Sequence, residues 1–573
     1  MDLDYYLIDA IAPFFTVSSD TPEVNWSKVP FSRLENDNGI DPQKAVVVEQ
    51  AFHRYVDAVT AEGYNAISLD DMAHLVNHSF YSDQLNAKID SYRVFYRRLI
   101  AYARAKGCEV FITTDILFLN RFISEHTGMD QKRNIRFLSR SVHRLFSGFP
   151  DLSGIIVRIG ESDGVDVQGD FQSRLVIKTA RQCRHYLKKM VQVCEQFDKQ
   201  LIMRTWTLGA FPIGDLMWNP HTFHAVFDNL PVQNLIISQK FGETDFFRYL
   251  TMSPLLFEGN HRRIVEFQAR REYEGFGEFP SYTGFDYERY ARYLRNCPML
   301  CGISVWCQTG GWSHFNRLSF CDNSSLWVEL NVSSTLRIFH DSFTAEKAAV
   351  TFITNRYPGT DGDSFVKFLR FADKAVKELW YIPEFAVQRL YFRRTRVPPL
   401  FYLFWDTIMI NHTVRKIIRR FVHERREAIE DGYRALRAVE KMRRLAENLP
   451  VDMGEIAFQY RTFEILAVAR EYYFGDWHHD LQERIEQLIT AYRRDYPDGF
   501  HVIADFNPVK FRKWLIKAVF HLSLRRHPHY RIIDRLVLLR FASLIYPLFR
   551  IWEKRRLPSF TRNQAMGIEI LFK

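Results

Sequence analysis

The sequence predicts an α/β chain, with a (β/α)8 TIM barrel over residues 1–340 followed by a basic, all-α C-terminal domain over residues 345–573. Three observations predict this. From about residue 40 to residue 310, helical periodicity alternates with short apolar runs, the pattern of repeated βα units and a parallel sheet. Seven such runs follow a plausible first strand, and eight parallel strands imply a closed barrel. Beyond about residue 345 the short runs stop and long helical patterns take over.

The elements follow in order. YYLIDAI (5–11) is the first strand. Residues 44–62 put Val48, Ala51, Tyr55 and Val59 on one helical face, and Gly63 ends that helix before the strand YNAISLDD (64–71). A helix over 85–106 and Gly107 lead to EVFITTD (109–115), and a helix over 134–146 leads to SGIIVRIG (153–160). A long helix over 172–197 precedes QLIMRTW (200–206), and shorter connections reach NLIISQK (234–240), RRIVEFQ (262–268) and GISVWC (302–307). An open doubly wound sheet is the alternative, but no G-x-G-x-x-G turn follows a strand and no phosphate-binding P-loop occurs. YPGTDGDS (357–364) reads as a turn between helices, Arg-rich faces occupy 414–447, and apolar-aromatic stripes run through 505–556.

Composition narrows the classes. With 47% hydrophobic and 25% charged residues the chain is globular, and its 15% aromatics serve mainly as core. The net charge of +10 is concentrated at one end: residues 501–573 hold 15 Lys+Arg against 4 Asp+Glu, so the rest is near neutral. No nucleic-acid signature accompanies that basic segment, and nucleic acid is not expected as a partner. The basic helices are expected to pack on the barrel or on another copy, with contact to an anionic membrane surface as the second reading. Seven Cys without a C-x-x-C pair suggest neither disulfides nor a zinc ribbon. The N-terminus lacks a basic region before its apolar residues, and no apolar stretch reaches the roughly 18 residues of a membrane span. A cytoplasmic location, peripheral at the inner membrane face in the second reading, is the expectation.

Reactive groups of such barrels stand at the C-terminal strand ends. Those positions hold Asp70, Asp71, Asp115, Glu161, Asp163, Arg204, Trp206, Lys240, Glu243, Asp245, Glu266, Trp306 and Gln308. Paired carboxylates with cations and aromatics suit glycoside hydrolysis, which needs one group to protonate the leaving oxygen and another as base or nucleophile. No G-x-S-x-G elbow or H-E-x-x-H pair is present, so acyl transfer and zinc hydrolysis are disfavoured, and neither metal nor cofactor is expected. Asp70, Asp71 and Asp115 read more readily as helix caps or ion-pair partners. His478 and His479 read as a solvated turn, and His221 and His224 as structural.

EFQARREYEG (266–275) is similar to the EFQ-x-x-x-EY-x-G strand of family 67 glycoside hydrolases, the α-glucuronidases, and KFGETDF (240–246) to their K-x-G-x-x-D-F segment. PDLSGIIVRIGESDG (150–164), QLIMRTW and AEGYNAISLDD (61–71) match more weakly, in the same order. The resemblance implies an inverting hydrolase that removes an α-linked, glucuronic acid-like sugar from an oligosaccharide. It makes Glu161 the general acid and Asp245 and Glu266 the carboxylates that activate water. Arg158, where the family has Lys, and Arg204 would bind the uronate; Trp206 would stack on a sugar, with Asp163, Lys240 and Trp306 as further substrate-binding residues. The GESDG turn is one residue longer than the family's, which leaves Asp163 as a rival for the acid position. The match begins close to the start of the sequence, and the family's N-terminal α/β domain is expected to be absent. A hydrolase of another surface-glycan sugar and a non-catalytic carbohydrate-binding barrel stay open as alternatives.

Overall fold

Eight parallel strands close into a barrel in chain order: β1 (Tyr5–Asp9), β2 (Ala66–Asp70), β3 (Glu109–Asp115), β4 (Gly154–Arg158), β5 (Gln200–Arg204), β6 (Leu235–Lys240), β7 (Arg262–Gln268) and β8 (Leu300–Trp306). Strand β1 pairs with both β2 and β8, so no edge is left open. The computed structural model describes residues 1–10, 31–36, 39–159, 169–173, 175–207, 211–248, 251–271, 273–307, 320–321, 325–386, 389–390, 395–396, 403–404, 407–419, 421–507 and 524–525. Glu161, Asp163, Gln308 and nearly all of the basic 508–573 segment lie outside them.

Alternation along each strand divides the side chains. Leu201 and Met203 of β5 face the helices and join the main core, whereas Ile202 faces the barrel axis. Ile202 packs there with Leu7, Ala66, Phe111, Ile156, Ile236 and Ile264, a small apolar plug separate from the main core. Two residues further along the same faces the interior turns polar, with Asp9, Arg158, Arg204, Ser238 and Glu266 all buried. The plug fills the lower barrel, and the chemistry-bearing side chains are stacked above it at the C-terminal mouth.

The helices largely follow the predicted pattern. Helix α1 (Pro42–Glu62) is capped by Asp41, whose carboxylate accepts from the amides of Gln43 and Lys44, and it ends at Gly63 with φ 111°. Helices α2 (Asp83–Ala105) and α3 (Gln131–Gly148) follow β2 and β3. The helix expected over 172–197 instead begins at Ala180, as α4 (Ala180–Gln196). Thr179 and Gln182 form a reciprocal capping box that fixes its start, while Gln172–Ser173 pairs with Phe118–Leu119 as a short antiparallel ladder.

The C-terminal region is built on α5 (Ala345–Arg356), α6 (Gly362–Trp380), α7 (Arg425–Ala446), α8 (Met453–Phe474) and α9 (His479–Asp495). It also holds a parallel strand pair, β9 (Thr407–Asn411) and β10 (His501–Asp505), which the helical patterns did not announce. Buried Arg470 on α8 donates to the carbonyls of Leu379, Tyr381 and Ala428 and so ties α6, its C-terminal extension and α7 together.

A buried charge network joins this region to the barrel. Arg248, beyond β6, pairs with Glu274 at 2.9 Å and with Asp373 of α6. Arg271 also pairs with Glu274, at 2.6 Å, and Lys377 of α6 bridges Asp286 and Asp373. Tyr381 donates to Glu274 at 2.6 Å. Three cations thus meet three carboxylates. Burial alone would raise the Glu274 carboxyl, but Arg248, Arg271 and Tyr381 bring it down to about 2. A depressed carboxyl contributes stability that is present above its unfolded value and lost as the pH falls through its folded one. Stability against urea is therefore expected to drop between the ordinary 4.5 and about 2. Glu274→Gln should flatten that acid limb and cost ~3–5 kcal/mol at neutral pH, because Arg248 and Arg271 lose their shared counterion; an unchanged acid limb would contradict this.

Candidate active site

The mouth is laced across three adjacent strands. Arg204 at the end of β5 donates from Nε and Nη2 to the two carboxylate oxygens of Glu266 on β7, each at 2.9 Å. Ser238 on the intervening β6 donates to Glu266 Oε1 at 2.7 Å. The register explains this: Ser238 lies opposite Arg204, and Lys240 opposite Glu266, so their side chains share the inner face. The Arg204 guanidinium also stacks over the Trp306 ring, 4.2 Å from its centroid. Burial works to raise the Glu266 carboxyl, yet Arg204, Lys240 and Ser238 together hold it below its ordinary value. Glu266 is an anion locked in a fork.

Three donors converge on Asp245. Lys240 Nζ reaches Oδ1 at 2.6 Å, the amide of Phe246 reaches the same oxygen at 2.9 Å, and Tyr273 Oη reaches Oδ2 at 2.7 Å. The Lys240 ammonium lies 4.6 Å from the ring centroids of both Trp206 and Phe246. Trp206 is half-buried against Met217 and Trp218. Tyr273 is itself held from the helical region, since Trp380 Nε1 donates to its carbonyl at 2.7 Å.

On the other side of the mouth, Arg158 donates from Nε to Asp115 at 3.0 Å and places Nη2 3.7 Å from Asp70. All three are buried. Asp71 caps the short turn Met72–Leu75 and bonds the His74 ring at 2.8 Å. Asp9 accepts the Cys307 amide at 2.6 Å, linking the ends of β1 and β8.

The structure thus brings Arg204, Lys240, Asp245, Glu266, Trp206 and Trp306 into one connected set, and joins Arg158 to Asp70 and Asp115. Glu161 and Asp163 lie outside the described residues. Sequence reasoning did not single out Asp9, Ser238 or Tyr273. Asp9 ends the first strand on the inner face, Ser238 is two residues before Lys240, and Tyr273 stands inside the EFQARREYEG motif. His224 pairs with Asp228 and Glu258 at the surface, and His478 accepts the Leu481 amide as the cap of α9. Among the described residues, no group of three or more His, Cys, Asp or Glu is placed to hold a metal ion, and no helix is long and apolar enough to cross a membrane.

No family model matches this chain, and no curated protein matches it. Solved structures do resemble it, and they include glycoside hydrolases. A GH138 enzyme targeting pectin rhamnogalacturonan II aligns with a TM-score of 0.52 at 11% identity, covering 87% of this chain and 63% of that one. A family 89 glycoside hydrolase from Clostridium perfringens gives 0.46 at 10% identity, covering 86% and 54%. An O-GlcNAc hydrolase from Thermobaculum terrenum gives 0.38 at 10%, covering 88% and 94%. The chain therefore spans less than two thirds of the first two. At these identities the likeness is one of fold, and the family 67 resemblance rests on the sequence motifs alone.

The Arg204–Glu266 fork makes a thermodynamic prediction. Glu266→Gln should cost ~3–5 kcal/mol in urea unfolding by stranding a buried cation, and adding Arg204→Met should recover much of that loss. Additive losses in the double variant would show that the two side chains are not coupled.

Proposed function

We propose that this chain is a glycoside hydrolase that removes an α-linked uronic acid from an oligosaccharide with inversion of configuration, without metal or cofactor. The observation that carries the reading is the joined set Arg204, Lys240, Asp245 and Glu266 at the barrel mouth, with Trp206 and Trp306 beside it. Asp245 is assigned as the base that takes a proton from the attacking water. Lys240 and Tyr273 orient its carboxylate, and the aromatic rings offer faces for the sugar. Glu266, fixed by Arg204, assists by keeping a negative charge near the developing positive charge on the sugar ring. Glu161, with Asp163 as its rival, is assigned as the acid that protonates the leaving oxygen. In an inverting pair those carboxyls stand about 6.5–9.5 Å apart, leaving room for the water. Arg158, Arg204 and Lys240 supply the positive field in which a sugar carboxylate would be held. The barrel shared with an enzyme that targets a pectin component supports a glycan-directed site, as do the family 67-like motifs.

One observation favours a neutral sugar instead. Each of these three cations already pairs with a protein carboxylate, so the field offered to a ligand is partly cancelled. Release of aryl groups from α-glucuronide and from neutral α-glycosides separates the readings. The uronide should be cleaved at least ~100-fold faster, and Asp245→Asn should lower turnover ~100-fold or more while the protein stays folded. Preference for a neutral glycoside would move the substrate to the second reading. Sugar binding with no hydrolysis of any substrate would leave a non-catalytic carbohydrate-binding barrel.

A further inference from the structure

Helices α3 and α4 lie side by side on the flank of the barrel, and between them they hold nine Lys+Arg and a single Glu. On α3 the arginines recur as Arg133, Arg136, Arg140 and Arg144, all exposed. That spacing presents about one guanidinium per helical turn along one face, a repeat of about 5.4 Å. None of the four forms an ion pair with a described carboxylate. On the neighbouring α2, by contrast, Arg98 and Arg104 pair with Glu49 and Glu109.

The surface here is concave. Two adjoining depressions of about 400 and 510 Å³ share Arg140 and Arg144, and no carboxylate lines either one. The first extends to His78, Phe80 and His126, where the rings of Phe80 and His126 stack at 4.0 Å and 6°. The second runs between the helices past Lys189, Gln192 and Gln196. Burial first, and then Arg144, His126 and Arg140, push the His78 ring down to about 3, which favours its neutral form. His78 and His126 sit on connections leaving the C-terminal ends of β2 and β3, the end of the barrel that carries the mouth.

We infer that this flank is a binding groove for an acidic polysaccharide, a strand bearing carboxylate or sulfate groups at sugar-length intervals. One arginine per turn matches the advance of one pyranose unit, and Gln192, Gln196 and Ser139 offer hydrogen bonds that hydroxyl groups can use. A groove lined by polar groups suits a strand better than a membrane surface, which calls for exposed apolar anchors. The preference for a glycan over another polyanion rests on the function proposed above.

Binding is measured with the full chain and polygalacturonate, with dextran, single-stranded DNA and phosphatidylserine vesicles alongside. Polygalacturonate should bind, weaken as salt rises, and lose roughly tenfold or more affinity in Arg136→Glu/Arg140→Glu, with a smaller loss in Arg136→Gln/Arg140→Gln. Arg494→Glu, a reversal of an exposed charge on α9, should change nothing. No binding of polygalacturonate, or binding indifferent to the flank variants, overturns the inference. Tighter flank-dependent binding of DNA or vesicles than of polygalacturonate overturns the choice of partner. Binding is scored separately from cleavage: flank-dependent binding without hydrolysis would sink the proposed activity and leave this groove, and hydrolysis without flank-dependent binding would do the reverse.

Discussion

The buried fork between Arg204 and Glu266 fixes the geometry of the barrel mouth. Neither charge can be left alone in an interior that excludes water, so each fixes the other. Ser238 completes the coordination of Glu266, and Trp306 covers the back of the guanidinium. Four adjacent strands are thereby committed to one geometry. Lys240, on the same inner face, is left to turn toward Asp245. The polar layer can exist only because an apolar plug fills the barrel beneath it and the charges above it are matched.

The helical region takes part in this arrangement as more than packing. Its Trp380 holds the backbone of Tyr273, and Tyr273 holds Asp245. A few residues away, Arg248 and Glu274 are locked to Asp373 and Tyr381 by a network that stays charged because it is balanced. The connections after β6 and β7 are thus clamped between barrel and helices. A site built on loops gains the precision of one built on rigid elements when loops are held in this way.

Much of this was legible in the sequence because periodicity reports burial directly. The eight strands, the turn at Gly63 and the face of α1 all follow from which residues must leave water. The α4 boundary shows how a local signal can be overlooked, since the Thr179–Gln182 box was present in the chain while the hydrophobic pattern ran on before it. The strand pair β9–β10 was hidden for another reason: its partners are about ninety residues apart, and strands this short in a three-stranded sheet leave little mark on the sequence. The residues proposed to react were picked out by their place at strand ends, but their pairing was not. Spacing put Arg204 and Glu266 at the same rim, yet only the register shows the cation spent on a protein carboxylate. Ser238 and Tyr273 act through contacts that no spacing encodes.

The proposed function requires a single displacement at an anomeric carbon in this mouth. Proton NMR of the first sugar released from an α-glucuronosyl xylo-oligosaccharide tests it most directly, because the anomer formed records the face from which water attacked. Inversion at the α-linked sugar releases the β-anomer first, which then equilibrates. The α-anomer appearing first would contradict it, since retention requires a covalent intermediate and a closer carboxyl pair.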